Sequence, residues 1–171
     1  MYFAIKNLTG RRLLVIVVVA WVLSLSQTAY SETATTTFSV SATVDTSCLV
    51  EATPLAFGNY DPTAASDLDG ANTVTVTCTT GTPYTIGLNA GIGDGATVSV
   101  RKMTSGSNTL EYTLYQDASR TTLWGNTIGT DTLGATAVAA PTVHNVYGRV
   151  FSGQPAPAGA YADTITVTLD F

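Results

Sequence analysis

Apolar and polar residues alternate with a period of two along most of the chain, the spacing that places one face of a β-strand on a core. Phe38, Val40, Ala42 and Val44 alternate with Ser39, Ser41 and Thr43. Val74 and Val76 alternate with Thr73, Thr75 and Thr77 and run into Cys78. Tyr84, Ile86 and Leu88 predict a third strand, and Val98 and Val100 a short fourth. Leu110, Tyr112 and Leu114 predict a fifth, and Val146 and Val150 a sixth. Ile165, Val167, Leu169 and Phe171 predict a seventh. Turn formers separate these sets, among them Gly58-Asn59-Tyr60-Asp61-Pro62, Gly91-Ile92-Gly93-Asp94-Gly95 and Gly153-Gln154-Pro155-Ala156-Pro157. Each supplies a positive-φ position or a fixed φ that ends a strand. No stretch after residue 32 carries a helical stripe. About seven short strands with frequent turns predict an all-β antiparallel sandwich without an internal linker or repeat.

The first thirty-one residues follow a different pattern. Lys6, Arg11 and Arg12 precede an apolar run from Leu13 to Leu23, and small residues Ala29 and Ser31 stand before Glu32. That order reads as a secretory signal peptide over 1–31. The apolar run reaches Leu25, about 13 residues, where a membrane span needs about 20. The mature chain is therefore expected to be exported, with no stable membrane insertion after cleavage.

Composition narrows the function classes. The chain has 171 residues, 45% hydrophobic and only 11% charged, against about 25% charged in an average domain. Residues 32–171 hold four basic residues (Arg101, Lys102, Arg120 and Arg149) and all twelve acidic ones, a net charge of −8. Such a surface has no basic stripe for phosphates, which argues against nucleic acid. The same span contains 29 Thr, roughly a fifth of it, and threonine favours strands. Cys48 and Cys78 are the only cysteines. In an oxidising compartment they allow one intramolecular pairing, closing a loop worth about 3–4 kcal/mol; two buried free thiols are the alternative.

Chemistry-bearing residues are sparse. His144 is the only histidine, and no nearby Asp has the spacing of a hydrolytic triad. Three Glu and a set of turn-like Asp make a poor glycosidase pair. Asp67-Leu68-Asp69-Gly70, with Asp61, resembles part of a calcium loop but lacks the closing Glu. Neither CxxC nor a Cys/His metal spacing is present. The reading is not an enzyme, with no cofactor and no metal. Tyr60, Tyr112, Tyr115, Trp124, Tyr147 and Tyr161 are candidates for a sugar-binding face or for ordinary packing. The segment 35–44 reads either as the first strand of its own sandwich or as a strand offered to another molecule's sheet. Periodicity does not choose between the two.

An ordered set of short motifs carries a family resemblance. Cys48-Leu49-Val50 is followed by Leu55-Ala56-Phe57-Gly58-Asn59-Tyr60 and Val74-Thr75-Val76-Thr77-Cys78. Then come Tyr84-Thr85-Ile86-Gly87-Leu88, Arg101-Lys102-Met103, Leu110-Glu111-Tyr112-Thr113-Leu114-Tyr115 and Trp124-Gly125. Val146-Tyr147-Gly148-Arg149-Val150 and the segment Gly159 to Phe171 close the set. Together they resemble the spore coat protein U domain family, which includes subunits of archaic chaperone–usher pili.

The resemblance implies an immunoglobulin-like sandwich, incomplete for lack of its last strand, with a signal peptide over 1–31, a donor-strand extension over 32–45 and the sandwich domain over 46–171. It implies a disulfide between Cys48 and Cys78 and a donor strand of Phe38, Val40, Ala42 and Val44, in which the small Ala42 buries least. It implies a chaperone-facing C-terminal strand of Ile165, Val167, Leu169 and Phe171. The implied partners are a periplasmic chaperone, an outer-membrane usher and neighbouring pilin subunits. The implied role is a structural subunit of a surface fibre, passing through the periplasm and serving adhesion and biofilm formation. The family's tip adhesins carry a second domain, so a shaft or adaptor subunit is expected. A self-contained secreted or coat domain, with 33–45 as its own strand, and a carbohydrate-binding module are the alternatives.

Overall fold

The computed structural model describes residues 30–171. The expected signal peptide lies almost wholly outside them. Among the described residues no helix is long and apolar enough to cross a membrane. The chain divides into one unit ending at Ala42 and a second spanning Thr43–Phe171, and the eight strands found among the described residues belong to the second.

The strands are β1 (Cys48–Ala52), β2 (Leu68–Cys78), β3 (Pro83–Leu88), β4 (Arg101–Ser105), β5 (Asn108–Tyr115), β6 (Leu133–Thr136), β7 (Thr142–Val150) and β8 (Val167–Asp170). They form an antiparallel five-stranded sheet, order β1-β2-β7-β5-β4, and a three-stranded sheet, order β6-β3-β8. The expected all-β, immunoglobulin-like sandwich is the observed fold.

The alternation read from sequence defines its interior. Val74 and Val76 of β2, Leu110, Tyr112 and Leu114 of β5, and Val146 and Val150 of β7 face Tyr84, Ile86 and Leu88 of β3 across a core completed by Trp124. Two predicted strands are absent. Val98 and Val100 lie in a bend, and β4 begins at Arg101. Residues 30–47 contain no strand; alternation alone makes none until a neighbour satisfies the backbone. Two strands were missed, β1 and β6.

Packing falls off toward three edges. No residue of β1, β6 or β8 is fully buried, although β8 presents Val167 and Leu169 to the core. One end of the sandwich is closed by Trp124 and Arg101. The Trp124 amide donates to Leu114 O (3.0 Å), its indole Nε1 donates to Ile86 O (2.9 Å), and Leu88 N donates to Gly125 O (2.8 Å). These bonds join β5 of one sheet to β3 of the other. Arg101 is fully buried and donates to four carbonyls, those of Asn89 (2.9 Å), Val98 (2.7 Å), Leu88 (3.0 Å) and Trp124 (2.7 Å). Burial pushes its pKa down to about 10, offset in part by the fields of Tyr112, Asp163 and Asp131. The guanidinium therefore stays charged at neutral pH and is held by carbonyl dipoles.

On the outer face, Asp69 of β2 and Arg149 of β7 stand opposite each other. They form a bidentate pair at 2.8 and 2.9 Å, and Arg120 reaches Asp69 at 3.1 Å. The Arg149 hydrogen bond, the largest cause, and the Arg120 charge hold the Asp69 carboxyl below its usual 3.8 against a smaller opposing effect of burial. Arg149 also lies 3.5 Å from Asp67. The segment that resembles part of a calcium loop is thus engaged with arginines.

Two outcomes are expected. Arg101→Lys keeps the charge but cannot reach four carbonyls, leaving buried acceptors unpaired. It should destabilise the domain by about 2–4 kcal/mol in chemical denaturation. Asp69 has a depressed folded pKa, so its contribution is present above the unfolded value of 3.8 and disappears as pH falls through the folded one. The difference in denaturation midpoint between wild type and Asp69→Asn should be level from about pH 5 to 7 and shrink below about pH 4. Being partly exposed, it should stay under about 1 kcal/mol.

Candidate functional site

Beside the core an apolar groove lies open between two stretches of chain. One wall is the segment 53–62, and the other is the segment 156–167 that leads into β8. The floor is the inner face of the five-stranded sheet. Two adjoining clefts make up the groove, of about 750 and 420 Å³, with Leu55, Met103 and Tyr161 lining both. Leu68, Leu110 and Val150 lie at the base of the larger, and Val74, Tyr112 and Val146 at the base of the smaller.

The first wall is fixed by Phe57. Gly70 of β2 and Gly148 of β7 stand opposite each other in the ladder, and their missing side chains leave a notch that the Phe57 ring fills. A Cβ at Gly148 would lie 2.6 Å from Phe57 Cζ, and one at Gly70 would lie 3.0 Å from its Cδ1. The ring also meets Tyr112 edge-on, with centroids 5.9 Å apart. Gly58 follows at φ +83°, a conformation glycine adopts without strain. Tyr60 completes the wall. Its hydroxyl accepts from Gln154 N (2.7 Å) and donates to Phe151 O (3.1 Å), while the Gln154 side chain pairs with both backbone groups of Glu111 on β5.

The second wall is held at its entry to β8. The backbones of Ala162 and Thr104 exchange two hydrogen bonds, at 2.8 and 3.1 Å. The Asp163 carboxylate accepts from Ile92 N (2.8 Å), Thr164 N (2.7 Å) and the Tyr112 hydroxyl (2.7 Å). Burial, and then that hydrogen bond to Asp163, push the Tyr112 pKa upward. Asn89 Oδ1 accepts from Thr166 N at 2.8 Å. Beyond this point β8 pairs with β3 along one edge, from Leu88↔Val167 to Thr85↔Asp170. Its other edge is hydrogen-bonded to no strand among the described residues, although β1 comes near it. Ile165, Val167 and Leu169 are half-buried, and Phe171 is 60% exposed.

The remaining predicted residues fall as follows. Cys48 and Cys78 are joined in a disulfide across the β1–β2 ladder. Just ahead of it, Thr79 grips the chain: its amide donates to Ser47 O (2.9 Å), and its hydroxyl accepts from Ser47 N (3.2 Å) and donates to Asp45 O (3.1 Å). Phe38, Val40 and Val44 are 87%, 84% and 81% exposed, and Ala42 is exposed too. The His144 ring accepts or donates at Tyr84 OH (2.9 Å), and burial lowers its pKa. The aromatic set does not gather on one surface. Trp124 is core, Tyr60, Tyr112 and Tyr161 line the groove, Tyr147 lies beneath Arg120, and Tyr115 stands opposite Tyr147 in the β5–β7 ladder. The Phe57 notch, the Arg101 carbonyl cage and the Asp163–Tyr112 bond were not foreseen. The one available signal was glycine inside apolar strands at positions 70 and 148, which marks close approach by another group.

Residues 34–168 match a family described as the Spore Coat Protein U domain. Protein U of Myxococcus xanthus is 38% identical over 128 residues, covering 68% of this chain and 71% of that protein. Among solved structures, the chain is similar to one chain in a chaperone–tip adhesion subunit pre-assembly complex, CsuC–CsuE, from the archaic chaperone–usher Csu pili of Acinetobacter baumannii. The TM-score is 0.54 at 25% identity, covering 75% of this chain. This chain spans 41% of the length of that one.

Gly148→Ala places a methyl against the Phe57 ring and against Leu55, 3.1 Å away. It should cost about 1–3 kcal/mol by overpacking. Adding Phe57→Leu should recover part of that loss in urea denaturation, because the notch then holds a smaller group.

Proposed function

The chain belongs to the Spore Coat Protein U domain family, and on that premise we propose that it is a structural pilus subunit assembled by donor-strand complementation. The observation that carries this reading is the groove between segments 53–62 and 156–167, open beside the unpaired edge of β8. An added strand laid against that edge would gain main-chain partners on β8 and press its alternate side chains onto the exposed floor.

The segment Phe38, Val40, Ala42, Val44 has the required form: uncharged, alternating and exposed. Burying its four side chains is worth roughly 5–8 kcal/mol, and about six new main-chain hydrogen bonds add on the order of 3–9 kcal/mol. The sum is comparable to the whole stability of an ordinary domain, about 5–15 kcal/mol. A subunit that gives its strand to one neighbour and receives one from another makes a heterologous contact, which grows into an open fibre.

Before assembly the same groove needs a temporary occupant, since an open apolar edge invites aggregation. The similar solved structure, a chaperone–subunit complex, supports a periplasmic chaperone in that role. Ile165, Val167, Leu169 and Phe171 are the side chains it would hold, before an outer-membrane usher exchanges it for the next subunit's residues 32–45. On this reading the chain is exported through the periplasm to the cell surface, where the fibre serves adhesion and biofilm formation by structure alone, without catalysis. The description of the matched family, a spore coat domain, favours one second reading, a coat component that folds by itself.

Deleting residues 32–45 separates the two readings. Co-expressed with a chaperone and usher, the full chain should give extended fibres in electron micrographs. The truncated chain should stall as a chaperone-bound subunit. Fibres of normal length from the truncation, or a full chain that purifies as a compact, heat-stable monomer, would overturn the pilus assignment.

A further inference from the structure

β1 pairs only with β2 among the described residues, and it also comes near β8. A leading segment that doubled back along β1 would therefore enter the lane that an incoming donor strand would take. Both partners in such a pairing belong to one chain, so their effective concentration is on the order of millimolar. A strand from another copy would rarely reach that level in solution. A fibre subunit must keep its own strand out, and the chain just ahead of β1 is where this is decided.

The position of the reversal fixes which residues reach the groove. Cys48 is tied to Cys78 by the disulfide. Ahead of it the half-buried Thr79 holds the chain at three points: its amide donates to Ser47 O (2.9 Å), and its hydroxyl accepts from Ser47 N (3.2 Å) and donates to Asp45 O (3.1 Å). With 45–47 clasped, the tightest reversal is a two-residue turn over Thr43-Val44. Ala42 then stands opposite Asp45, and antiparallel pairing puts Phe38 opposite Leu49 and Thr35 opposite Ala52. The lining of the groove begins only at Ala52. Phe38, Val40, Ala42 and Val44 would all fall short of it, and Thr35, Ala34, Thr33 and Glu32 would meet it instead.

Without the clasp the reversal moves to Thr46-Ser47, and the outcome changes. Asp45 then stands opposite Cys48, Val40 opposite Thr53 and Phe38 opposite Leu55. The β1 ladder does run on to Thr53, whose amide donates to Thr73 O at 2.9 Å. Thr53 and Leu55 line the smaller cleft, so the two largest apolar side chains of the segment that reach it would be seated in their own groove. We infer that Thr79 is a positioning residue that bars the chain's own segment 32–45 from its groove and so reserves the groove for another copy. This role rests on the donor-strand reading and gives the reason that a subunit carrying both strand and groove does not close on itself.

The test expresses the exported full chain without a chaperone in four forms. They are wild type, Thr79→Val, which loses both hydroxyl bonds, Thr79→Ser, which keeps them, and a variant with Gly-Ser-Gly-Ser-Asn-Gly inserted between Val44 and Asp45. The insertion leaves the clasp intact, places the reversal at its own Asn-Gly and restores Phe38 opposite Leu55. Light scattering on a size-exclusion column gives the mass, and hydrogen exchange gives the protection of amides 38–44. Thr79→Val and the insertion variant should yield a soluble monomer with these amides protected. Its yield from Thr79→Val should exceed that of wild type by about tenfold, the effect of two lost hydrogen bonds. Wild type and Thr79→Ser should aggregate, with the amides unprotected. Failure of either Thr79→Val or the insertion variant to give the protected monomer would overturn the role of Thr79 and leave donor-strand assembly standing, as would a Thr79→Ser chain that behaves like Thr79→Val. A stable wild-type monomer whose amides 38–44 exchange freely would overturn donor-strand assembly itself, and the role of Thr79 with it.

Discussion

Main-chain hydrogen bonding along β8 governs the rest of the molecule. Among the described residues the strand is hydrogen-bonded to β3 on one side and to no strand on the other, although β1 approaches it, so half of its peptide groups have no sheet to complete. Its inner side chains, Val167 and Leu169, reach the core but are only half covered. In a closed sandwich a further strand would lie there and seal the floor formed by β2, β5 and β7. Here the floor stays exposed while each wall is tied down separately, by Phe57 in its glycine notch and by Asp163 at the entry to β8. Both walls are thus held by specific contacts, and walls held in this way would lower the ordering cost of an incoming strand.

Much of this fold was legible in the chain. β2, β3 and β5 alternate β-branched, aromatic and leucine residues against threonine, and each buries the face that the alternation selects. Where alternation failed as a guide, the reasons are physical. Phe38 to Val44 alternates as cleanly as any segment yet has no strand, because strand formation needs a partner that one sequence does not display. Leu133-Gly134-Ala135-Thr136 is a strand despite weak propensity, since β3 supplies the ladder. Val98 and Val100 fold into a bend whose carbonyls serve Arg101 and Thr113. Contacts such as Phe57 with Gly148 join residues some ninety positions apart, and no local pattern encodes them.

Charge is used sparingly, and the basic groups are mostly engaged by other parts of the chain. Of the four basic residues after position 32, Arg101 is buried among carbonyls, and Arg120 and Arg149 are bound to Asp69. Lys102 donates to the carbonyl of Asp94 at 3.2 Å. The outward surface is left acidic and rich in threonine.

Thr79 and the disulfide have a mechanical consequence. The chain arriving from Asp45 and Ser47 is clasped by one threonine and, one residue later, bonded covalently through Cys48 to Cys78 at the end of the eleven-residue β2. A pull on the leading segment cannot peel β1 away from its first residue, because the sulfur bridge passes the tension directly into β2. β2 pairs with β1 over Val74–Cys78 and with β7 over Leu68–Val76, so yielding requires the longest ladder of the domain to break. Stretching force thus enters the domain at one of its most resistant elements.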